Sequence, residues 1–521
     1  MQSLSRKIII GSRGSDLALW QANFFQSQLN ELNIPSEIKI ITTKGDRIQH
    51  LSFDKIEGKG FFTKEIEAAL INEEIDIAIH SHKDLETKQP PGLTISGVSY
   101  RENPAELLLI NKNAVDYKQD FEFKQGAVIG TSSARRKSQI KNFRPDISIK
   151  DIRGNVPTRI DKLRSGEFDA ILLAAAGVSR LNLDLSDLHV IEIDPRLFIP
   201  AAAQGVLAYQ TRESDEEMKH VVHQIHHAQV KEEIEIERKI LSGFGGGCHI
   251  PIGIYTTRKN DLFKVRVSYA KESDKIAKRA VFECDNLVEA LAKFEDVRNH
   301  ELPNRVLISK ETIEGSYLQR ASSAHNIELV GAPFIQTKKV SFELPNSYDW
   351  IFFSSSNAVE HFFAQTNVEQ LGNVKFAAYG VSTKKALANF VDEIAFTAQP
   401  GQPDEVAAEF ANEVKDSVVL FPVSQISKRS VQDCLDPAQC LNVVCYETIE
   451  SPVKVDIDFD CIVFTSPSNV KGYHETNGRI KSLTKIIALG SSTANTLREM
   501  GYDCMVADFP SEVEVFTLLC S

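Results

Sequence analysis

Short apolar runs alternate with amphipathic stretches over the first two fifths of the chain. Residues 6 to 11, RKIIIG, are typical of a buried strand, and the segment from Ser15, SDLALWQANFFQSQLNEL, carries its apolar residues on one helical stripe. The same succession of strand, polar turn and helix recurs at 127–140 (AVIGTSSARRKSQI), and a further buried strand lies at 168–181 (FDAILLAAAGVSRL). This alternation predicts an α/β fold.

Arginines mark the predicted strand-to-helix junctions. Four junctions carry them, and the residues concerned are Arg13, Arg135, Arg136, Arg153, Arg159 and Arg180. Cations in the first turn oppose the helix dipole and destabilise the helix unless an anion neutralises them. The planar guanidinium also suits bidentate binding of a carboxylate. Although solvated surface arginines are the simpler alternative at any one junction, four junctions together favour a site for a carboxylated ligand.

A lysine and an aspartate follow another predicted strand. In IDIAIHSHKDLET the alternation of apolar and polar residues ends at Lys83 and Asp84, the position at which open α/β sheets bind ligands. His80 and His82 share one face of this strand, so a metal site was considered. Since no matching cluster of further ligands is evident, we expect no metal.

Cys248 stands after three consecutive glycines, in GFGGGCHIP. Glycines leave no side chain beside the sulfur, so a bulky group can approach it or be attached to it. A plain helix C-cap is the alternative, because the preceding segment EEIEIERKILSGF is typical of a helix. A thiol hydrolase using Cys248 with His249 is disfavoured, because adjacent residues usually point apart and no orienting Asp or Asn is evident.

Length and charge indicate several domains, of which the first part is balanced in charge and the second is acidic. A chain of 521 residues exceeds the usual size of a single core. Residues 301–521 contain 17 Lys and Arg against 28 Asp and Glu, which leaves 42 against 43 for residues 1–300. We expect no nucleic-acid partner and no membrane association, because the chain is acidic and lacks a long apolar run. The N-terminus shows no secretory signal, and eight cysteines without a C-x-x-C pair fit reduced thiols, so a cytoplasmic location is expected.

The second part of the chain contains an internal repeat. IFFSSSNAVEHFF (351–363) aligns with IVFTSPSNVKGYH (462–474), and FAAYGVSTKKAL (376–387) aligns with IIALGSSTANTL (486–497). Two similar α/β lobes are therefore predicted. Hydroxyl residues stand at the strand ends, where they either bind carboxylates through O–H and N–H donors or simply cap the helices.

These motifs together resemble porphobilinogen deaminase (hydroxymethylbilane synthase). The resemblance covers about residues 6 to 255 and rests on SRGSDLALWQA, TKGD, GKGFFTKE, HSHKDL, GTSSARR, RGNVPTR, DAILLAAAGVSRL, AAAQG and GGGCHIPIG. The second part resembles uroporphyrinogen-III synthase more weakly, through its repeat and through CYET around Tyr446. The chain is thus interpreted as a fusion of two enzymes of tetrapyrrole (haem) biosynthesis.

The resemblance implies an architecture. Two periplasmic-binding-protein-like lobes and a small α+β domain that carries Cys248 would precede a two-lobed, Rossmann-like synthase. The expected boundaries are 1–101 for lobe 1, completed by about 200–217; 102–199 for lobe 2; 218–298 for the α+β domain; 299–304 for a linker; and 305–521 for the synthase, with lobe A at about 305–338 plus 453–521 and lobe B at about 340–450. We expect a monomer.

The resemblance also implies the chemistry of the first part. A dipyrromethane cofactor would be attached to Cys248 through a thioether, and porphobilinogen units would be added to it with loss of ammonia. Asp84 would face the pyrrole nitrogens, and Asp84 and Lys83 would be the catalytic residues. A fixed carboxylate there stabilises the electron-poor azafulvene that remains when ammonia leaves. By family position, the cofactor's carboxylates would be held by Lys83, Ser133, Arg135, Arg136, Arg153 and Arg159. The incoming unit or growing chain would face Arg13, Ser15, Arg159 and Arg180.

For the second part, the resemblance implies closure of hydroxymethylbilane to uroporphyrinogen III with inversion of the last ring. Tyr446 is the candidate proton donor or orienter, and Thr465, Ser466 and Thr493 are candidate carboxylate holders. Two departures from the deaminase pattern, Glu86 in place of a common proline and Ala203 in place of glycine, bear on local loop geometry. The alternatives are a non-catalytic sensor of a small carboxylated ligand, built on periplasmic-binding-like lobes, and a deaminase with an inactive C-terminal domain.

Overall fold

A computed structural model describes residues 6–43, 63–245, 250–398 and 403–521. The chain divides into two compact units, one holding most residues up to His300 and the other most residues from Glu301 onward. Both are mixed α/β structures, which confirms the predicted fold class. Among the described helices, none combines the length and the apolar character needed to cross a bilayer.

The described part of the first unit contains thirteen strands and eight helices. The strands are β1 (Ile8–Ser12), β2 (Ser36–Ile40), β3 (Ile77–Ser81), β4 (Leu93–Val98), β5 (Glu106–Asn111), β6 (Val128–Gly130), β7 (Ser148–Lys150), β8 (Ala170–Ala174), β9 (Leu188–Ile193), β10 (Leu207–Arg212), β11 (Ile252–Lys259), β12 (Leu262–Tyr269) and β13 (Lys278–Cys284). The helices are α1 (Asp16–Glu31), α2 (Lys64–Ile71), α3 (Ala134–Phe143), α4 (Val156–Arg164), α5 (Ala175–Leu181), α6 (Glu216–Ile225), α7 (Ala228–Gly243) and α8 (Leu287–Asn299).

Three sheets organise this unit. The first has the order β2-β1-β3-β10-β4, the second β7-β6-β8-β5-β9, and the third is the antiparallel meander β11-β12-β13. The chain leaves the first sheet after β4, builds the second, and returns through β10, which pairs antiparallel with both β3 and β4. The two crossing segments therefore lie side by side, and Glu102 N donates to Gly205 O over 3.1 Å.

Helix α6 packs with the first sheet rather than with the third. Its buried residues Met218, Val221 and Val222 share a core with Ile8 and Tyr209. The sequence analysis assigned residue 218 onward to the α+β domain, but the apolar face of α6 is covered by lobe 1. Helices α7 and α8 pack on the third sheet, and Ile236 and Ile240 of α7 share its core with Ala290 and Phe294 of α8.

The described part of the second unit holds eleven strands and seven helices. The strands are β14 (Arg305–Ile308), β15 (Glu328–Gly331), β16 (Ile335–Lys339), β17 (Trp350–Phe353), β18 (Lys375–Ala378), β19 (Phe396–Thr397), β20 (Val419–Ser424), β21 (Cys440–Glu450), β22 (Cys461–Phe464), β23 (Lys485–Ala488) and β24 (Met505–Val506). The helices are α9 (Tyr317–Ala324), α10 (Ser356–Phe363), α11 (Val381–Leu387), α12 (Pro403–Val414), α13 (Pro467–Asn477), α14 (Ser491–Glu499) and α15 (Glu512–Leu519).

Two sheets form this unit, and the sequence repeat places one copy in each. The five-stranded sheet has the order β15-β14-β22-β23-β24, and the six-stranded sheet has the order β16-β21-β20-β17-β18-β19. The succession β17, α10, β18, α11 corresponds to β22, α13, β23, α14. Strand β16 begins at Ile335 and pairs antiparallel with β21, so the chain enters the second sheet slightly before the expected boundary.

Candidate active sites

The basic residues of the first unit lie at the carboxyl ends of parallel strands. Lys83 and Asp84 occupy a short 3-10 turn directly after β3. Arg135 and Arg136 fall in the first turn of α3, after β6. Carboxyl ends are where open α/β sheets bind ligands, so the local sequence places these side chains where the junction pattern predicted.

Residues that follow strands of the first and second sheets form one group of charges. We call it the basic cluster, and its members are Lys83, Arg135, Arg136, Arg153 and Arg159. Lys83 interacts electrostatically with Arg135 and Arg136, and Arg159 interacts with Asp84, Arg136 and Arg153. Residues that are distant in sequence are thus brought together around Asp84, which is itself exposed.

Glu106 is one residue of this site that the sequence analysis missed. It begins β5, has no exposed surface, and accepts from Arg135 Nη2 over 2.6 Å and from Arg136 Nη2 over 2.7 Å. Burial alone would raise the pKa of Glu106, but the positive charges of Arg136, Arg135 and Lys83 outweigh it and lower the pKa to about 2. Glu106 is therefore an internal counter-ion that fixes the two guanidinium groups.

The cluster still has capacity for an anionic ligand. Among the described residues, Lys83, Arg135, Arg136 and Arg159 share the two carboxylates Asp84 and Glu106 as their electrostatic partners. Arg136 Nε is buried and has no hydrogen-bond partner among the described residues. Burial, followed by the charge of Arg136, lowers the pKa of Arg159 to about 10, although Asp84 opposes the change. Buried donors and crowded like charges are costly unless a ligand compensates them, so the cluster fits a molecule with several carboxylates.

The ammonium of Lys83 donates a hydrogen bond to the buried side-chain amide of Gln204. Lys83 Nζ donates to Gln204 Oε1 over 3.3 Å, and Gln204 Nε2 donates to Glu106 Oε1 over 3.2 Å. Burial lowers the pKa of Lys83, Asp84 and Glu106 oppose this, and Arg136 and Arg135 add to it. Gln204 belongs to AAAQG, a motif that carried the resemblance, but no role was predicted for it.

Arg180 lies in a different environment from the basic cluster. Its guanidinium stacks over the ring of Trp20, with Cζ 5.3 Å from the ring centroid, and Nη2 donates to Gly205 O over 2.8 Å. Its Nε is buried without a hydrogen-bond partner among the described residues. Arg13 lies near His80, with which it interacts electrostatically. The structure therefore does not group Arg180 with the residues around Asp84.

The two candidate serines cap helices. Ser15 Oγ accepts from Ala18 N over 3.4 Å at the start of α1, and Ser133 Oγ accepts from Arg136 N over 3.5 Å at the start of α3. Capping satisfies helical N–H groups that lack an intrahelical partner. These contacts account for a serine at each position without a ligand, and they leave the ligand role of both residues a prediction.

His80 on β3 and His82, which begins the 3-10 turn after it, are both buried, so the second histidine does not continue the strand as expected. His80 Nε2 lies 3.1 Å from Gln210 Oε1, and burial lowers the pKa of His80 to about 4. Burial also lowers the pKa of His82, and the positive charge of Arg238 lowers it further. Over the ranges that the structure describes, no group of three or more His, Cys, Asp or Glu is arranged to hold a metal. Cys248 and His249 lie outside the described residues.

The two departures from the deaminase pattern occupy defined positions. Ala203 is fully buried and adopts φ of +61°, a conformation that glycine reaches with less strain. Its N–H donates to Glu237 Oε2 over 2.6 Å. Glu86 contributes its backbone carbonyl to Arg238 Nη2 and to Gln89 Nε2. Both loops are thus tied to neighbouring elements by backbone hydrogen bonds.

In the second unit, Tyr446 lies on β21 and is largely buried. Its hydroxyl is 3.4 Å from Ser355 Oγ, and its ring stacks on His361 with centroids 5.1 Å apart. Burial raises the pKa of Tyr446 above its ordinary value, so the hydroxyl keeps its proton and is able to donate it to a hydrogen bond. Ser355 caps α10, at the carboxyl end of β17.

The candidate hydroxyls next to the five-stranded sheet take part in internal contacts. Thr465 Oγ1 donates to Ser309 O over 3.2 Å, and Asn469 Nδ2 donates to Thr465 Oγ1 and to Ser466 Oγ over 3.2 and 3.0 Å. Ser466 also caps α13. Thr493 lies in the first turn of α14 and is buried. All three stand at carboxyl ends of neighbouring parallel strands, β22 and β23.

The fold and the site define a class: an α/β enzyme whose first unit gathers basic side chains around an exposed aspartate, followed by a two-sheet α/β domain. Residues 8–220 match the family described as "Porphobilinogen deaminase, dipyromethane cofactor binding domain", and residues 316–514 match "Uroporphyrinogen-III synthase HemD".

Curated relatives agree with the first match. A porphobilinogen deaminase of Listeria monocytogenes is 45% identical over 264 residues, which are 50% of this chain and 84% of the relative. That of Bacillus subtilis is 46% identical over 256 residues, 49% of this chain and 80% of the relative, and that of Fusobacterium nucleatum is 41% identical over 311 residues, 58% and 100%. The chain belongs to the porphobilinogen deaminase family.

The two matched regions make the chain a bifunctional enzyme of haem biosynthesis. Its first part contains the domain that binds the dipyrromethane cofactor, and its second part is a uroporphyrinogen-III synthase domain. The interpretation of the sequence as a fusion is confirmed, and the sensor is not favoured.

Proposed function

We propose that the first part polymerises porphobilinogen to hydroxymethylbilane with release of ammonia, and that the second part closes this product to uroporphyrinogen III with inversion of the last ring. The observation that carries the proposal is the basic cluster around Asp84, in which four described basic side chains share the carboxylates of Asp84 and Glu106. Porphobilinogen and its oligomers carry two carboxylates on every ring, so each added unit brings further negative charge that the protein must bind.

Cys248 is the proposed attachment point of the dipyrromethane through a thioether. The covalently held dipyrromethane supplies the pyrrole terminus to which new units are added. Its carboxylates are held by Lys83, Ser133, Arg135, Arg136, Arg153 and Arg159. For Arg136, support comes from the buried Nε donor, and for Arg159 from a pKa lowered by burial and neighbouring cations, since a bound carboxylate relieves both.

Asp84 is the proposed catalytic carboxylate. It is exposed, whereas Glu106 in the same neighbourhood is fully buried, so Asp84 is the carboxylate that a ligand is able to touch. It accepts hydrogen bonds from pyrrole N–H groups and stabilises the cationic ring that remains when ammonia leaves. Lys83 acts beside it, and Arg13, Ser15, Arg159 and Arg180 bind the incoming unit or growing chain.

In the second part, Tyr446 orients the bilane or donates a proton to it, and its raised pKa supports a protonated hydroxyl. Thr465, Ser466 and Thr493 bind substrate carboxylates together with nearby helix N–H groups. This set uses neutral donors, in keeping with the acidic composition of residues 301–521.

The expected setting of the enzyme is simple. We propose a cytoplasmic monomer that acts on small molecules and has no nucleic-acid partner. Its deaminase lobes, α+β domain and synthase follow the boundaries given above, except that residues 216–225 belong with lobe 1 because α6 packs in that core.

Intact mass and product analysis test the proposal. The purified protein should carry a dipyrromethane adduct that Cys248→Ser abolishes and Asp84→Asn retains. Fed with porphobilinogen, it should yield uroporphyrinogen III. Protein that is unmodified at Cys248 and inert toward porphobilinogen would contradict the deaminase assignment. Formation of the non-inverted isomer alone would contradict an active synthase.

A further inference from the structure

Gln204 connects the two lobes behind the basic cluster. The residue is fully buried in the segment that returns to the first sheet, 121 positions after Lys83. Its side chain meets Lys83 from lobe 1 and Glu106 from lobe 2, at 3.3 and 3.2 Å. A single amide thus contacts the lysine beside Asp84 and the counter-ion of Arg135 and Arg136.

The chemistry of its neighbours fixes the orientation of this amide. Nε2 faces three acceptors, which are Pro104 O at 2.8 Å, Ala105 O at 3.4 Å and Glu106 Oε1 at 3.2 Å. Oε1 faces the ammonium of Lys83, which is a donor. Reversing the amide would set a donor against the ammonium and an acceptor against the carboxylate. Glutamine is suited to this position because it combines a donor and an acceptor at one end.

The backbone of Gln204 is held as firmly as its side chain. Arg101 Nε donates to Gln204 O over 3.2 Å. The next residue, Gly205, has φ of +88°, and a Cβ there would lie 2.2 Å from Glu102 O, so the two crossing segments are in close backbone contact. The backbone that carries the Gln204 amide is therefore held in place where the two crossing segments meet.

We propose that Gln204 is a positioning residue for Lys83: it holds the ammonium against the basic cluster and ties its place to the junction between the lobes. This inference rests on the role proposed for Lys83 in binding the cofactor. The charged groups around the ammonium are Asp84, Glu106, Arg135 and Arg136. The Gln204 carbonyl adds a neutral acceptor on the side of the ammonium that faces the interior.

The test uses Gln204→Met in the full-length protein, with Gln210→Met as the matched control. Gln210 is also a fully buried glutamine with several hydrogen bonds, but these go to other partners, Gln89, His80 and Glu67. Acetic anhydride labels neutral amines, so labelling of Lys83 at a series of pH values, resolved by peptide mass spectrometry, gives the midpoint of its ionisation. Turnover of porphobilinogen is measured in parallel.

Gln204→Met should move the Lys83 midpoint to lower pH, because the charged amine loses an acceptor while remaining buried. It should also lower kcat/KM about tenfold, the effect of losing one hydrogen bond to a charged group. Gln204→Glu keeps an acceptor and adds a charge, so it should move the midpoint to higher pH. Gln210→Met should leave the midpoint where it is. Opposite shifts in the two Gln204 variants are not expected from general loosening of the fold.

Two outcomes would overturn the inference on its own. One is that the ionisation midpoint of Lys83 in both Gln204 variants equals that of the parent protein, while a Lys83→Gln variant has lost activity. The other is an equal shift in Gln204→Met and Gln210→Met, which would indicate a structural effect. A Lys83→Gln variant with parental kcat/KM would instead overturn the role proposed for Lys83, and this inference with it.

Discussion

Replacing Glu106 by glutamine should remove the charge on which two buried guanidinium groups depend. Glu106 has no exposed surface, and the side chains of Arg135 and Arg136 are 6% and 8% exposed. Arg135 Nη1 also donates to Ile199 O and Arg136 Nη1 to Leu172 O, so neither arginine is free to turn toward solvent. Glu106→Gln is nearly isosteric, and its main effect is to leave these charges uncompensated.

The expected loss of stability is about 3 kcal/mol at neutral pH. The pKa of Glu106 is about 2 in the folded protein against 4.5 ordinarily, and each unit corresponds to about 1.4 kcal/mol. Removing one partner of a buried ion pair typically costs about 3 to 5 kcal/mol, which agrees. Because the folded pKa is depressed, this stabilisation is complete above about pH 4.5 and disappears as the pH falls toward 2, so the variant and the parent should converge in acid.

Urea unfolding followed by tryptophan fluorescence measures this loss. The chain has two tryptophans, Trp20 in the first unit and Trp350 in the second, so a Trp350→Phe background lets Trp20 report on the first unit. Glu192→Gln on the adjacent strand β9 is the control, because Glu192 is exposed and its neutralisation should change stability by less than about 0.5 kcal/mol. If Glu106→Gln and this control have the same free energy of unfolding at pH 7, Glu106 is not the counter-ion that we infer.

Three further predictions follow from single positions. Gly205→Ala should destabilise the first unit by more than about 2 kcal/mol in the same assay, because a Cβ would lie 2.2 Å from Glu102 O; Gly126→Ala, at φ of +69° with nothing within 4 Å, should cost only about 1 kcal/mol. His80→Gln should make stability depend less on pH between pH 6.5 and pH 4. The pKa of His80 is lowered to about 4 in the folded protein, so the unfolded chain binds a proton at higher pH than the folded protein does. As the pH falls from 6.5 to 4 the parent therefore loses stability that the variant, which has no histidine there, keeps. Asp84→Asn should lower kcat about a hundredfold while leaving the urea midpoint of the first unit nearly unchanged, because Asp84 is exposed; a matching loss of stability would contradict its role in turnover.

The fold class and the position of the basic residues were accessible from the sequence because both depend on local patterns. Strand, turn and helix follow one another within about 15 residues, and the carboxyl ends of parallel strands meet at one edge of a sheet. Arg135 and Arg136 were singled out because cations in a first helical turn are unfavourable without an anion, and the structure supplies such an anion in Glu106.

Glu106 was not predicted as a site residue because in the sequence it resembles an ordinary strand residue. It opens the apolar run ELLLI, and its partners stand 29 and 30 positions later. A signal was present, since a lone carboxylate at the head of a fully buried strand requires a cationic partner. Gln204 was harder to find, because its contact with Lys83 depends on the antiparallel pairing of β10 with β3, which no local pattern specifies. The position of α6 was mispredicted for a similar reason. Its apolar face could cover either neighbouring sheet, and only the return of β10 to the first sheet places it there.

Two carboxylates near the same cations differ in exposure, and this difference separates their functions. Glu106 is buried between Arg135 and Arg136, and a pKa of about 2 keeps it charged at neutral pH. Asp84 faces outward beside Lys83. Had both been exposed, the ligand's carboxylates would compete with two anions for the same arginines. By burying one carboxylate as a fixed counter-ion, the protein orients its arginines before any ligand arrives and leaves Asp84 as the exposed carboxylate, which is what the catalytic role proposed for it requires.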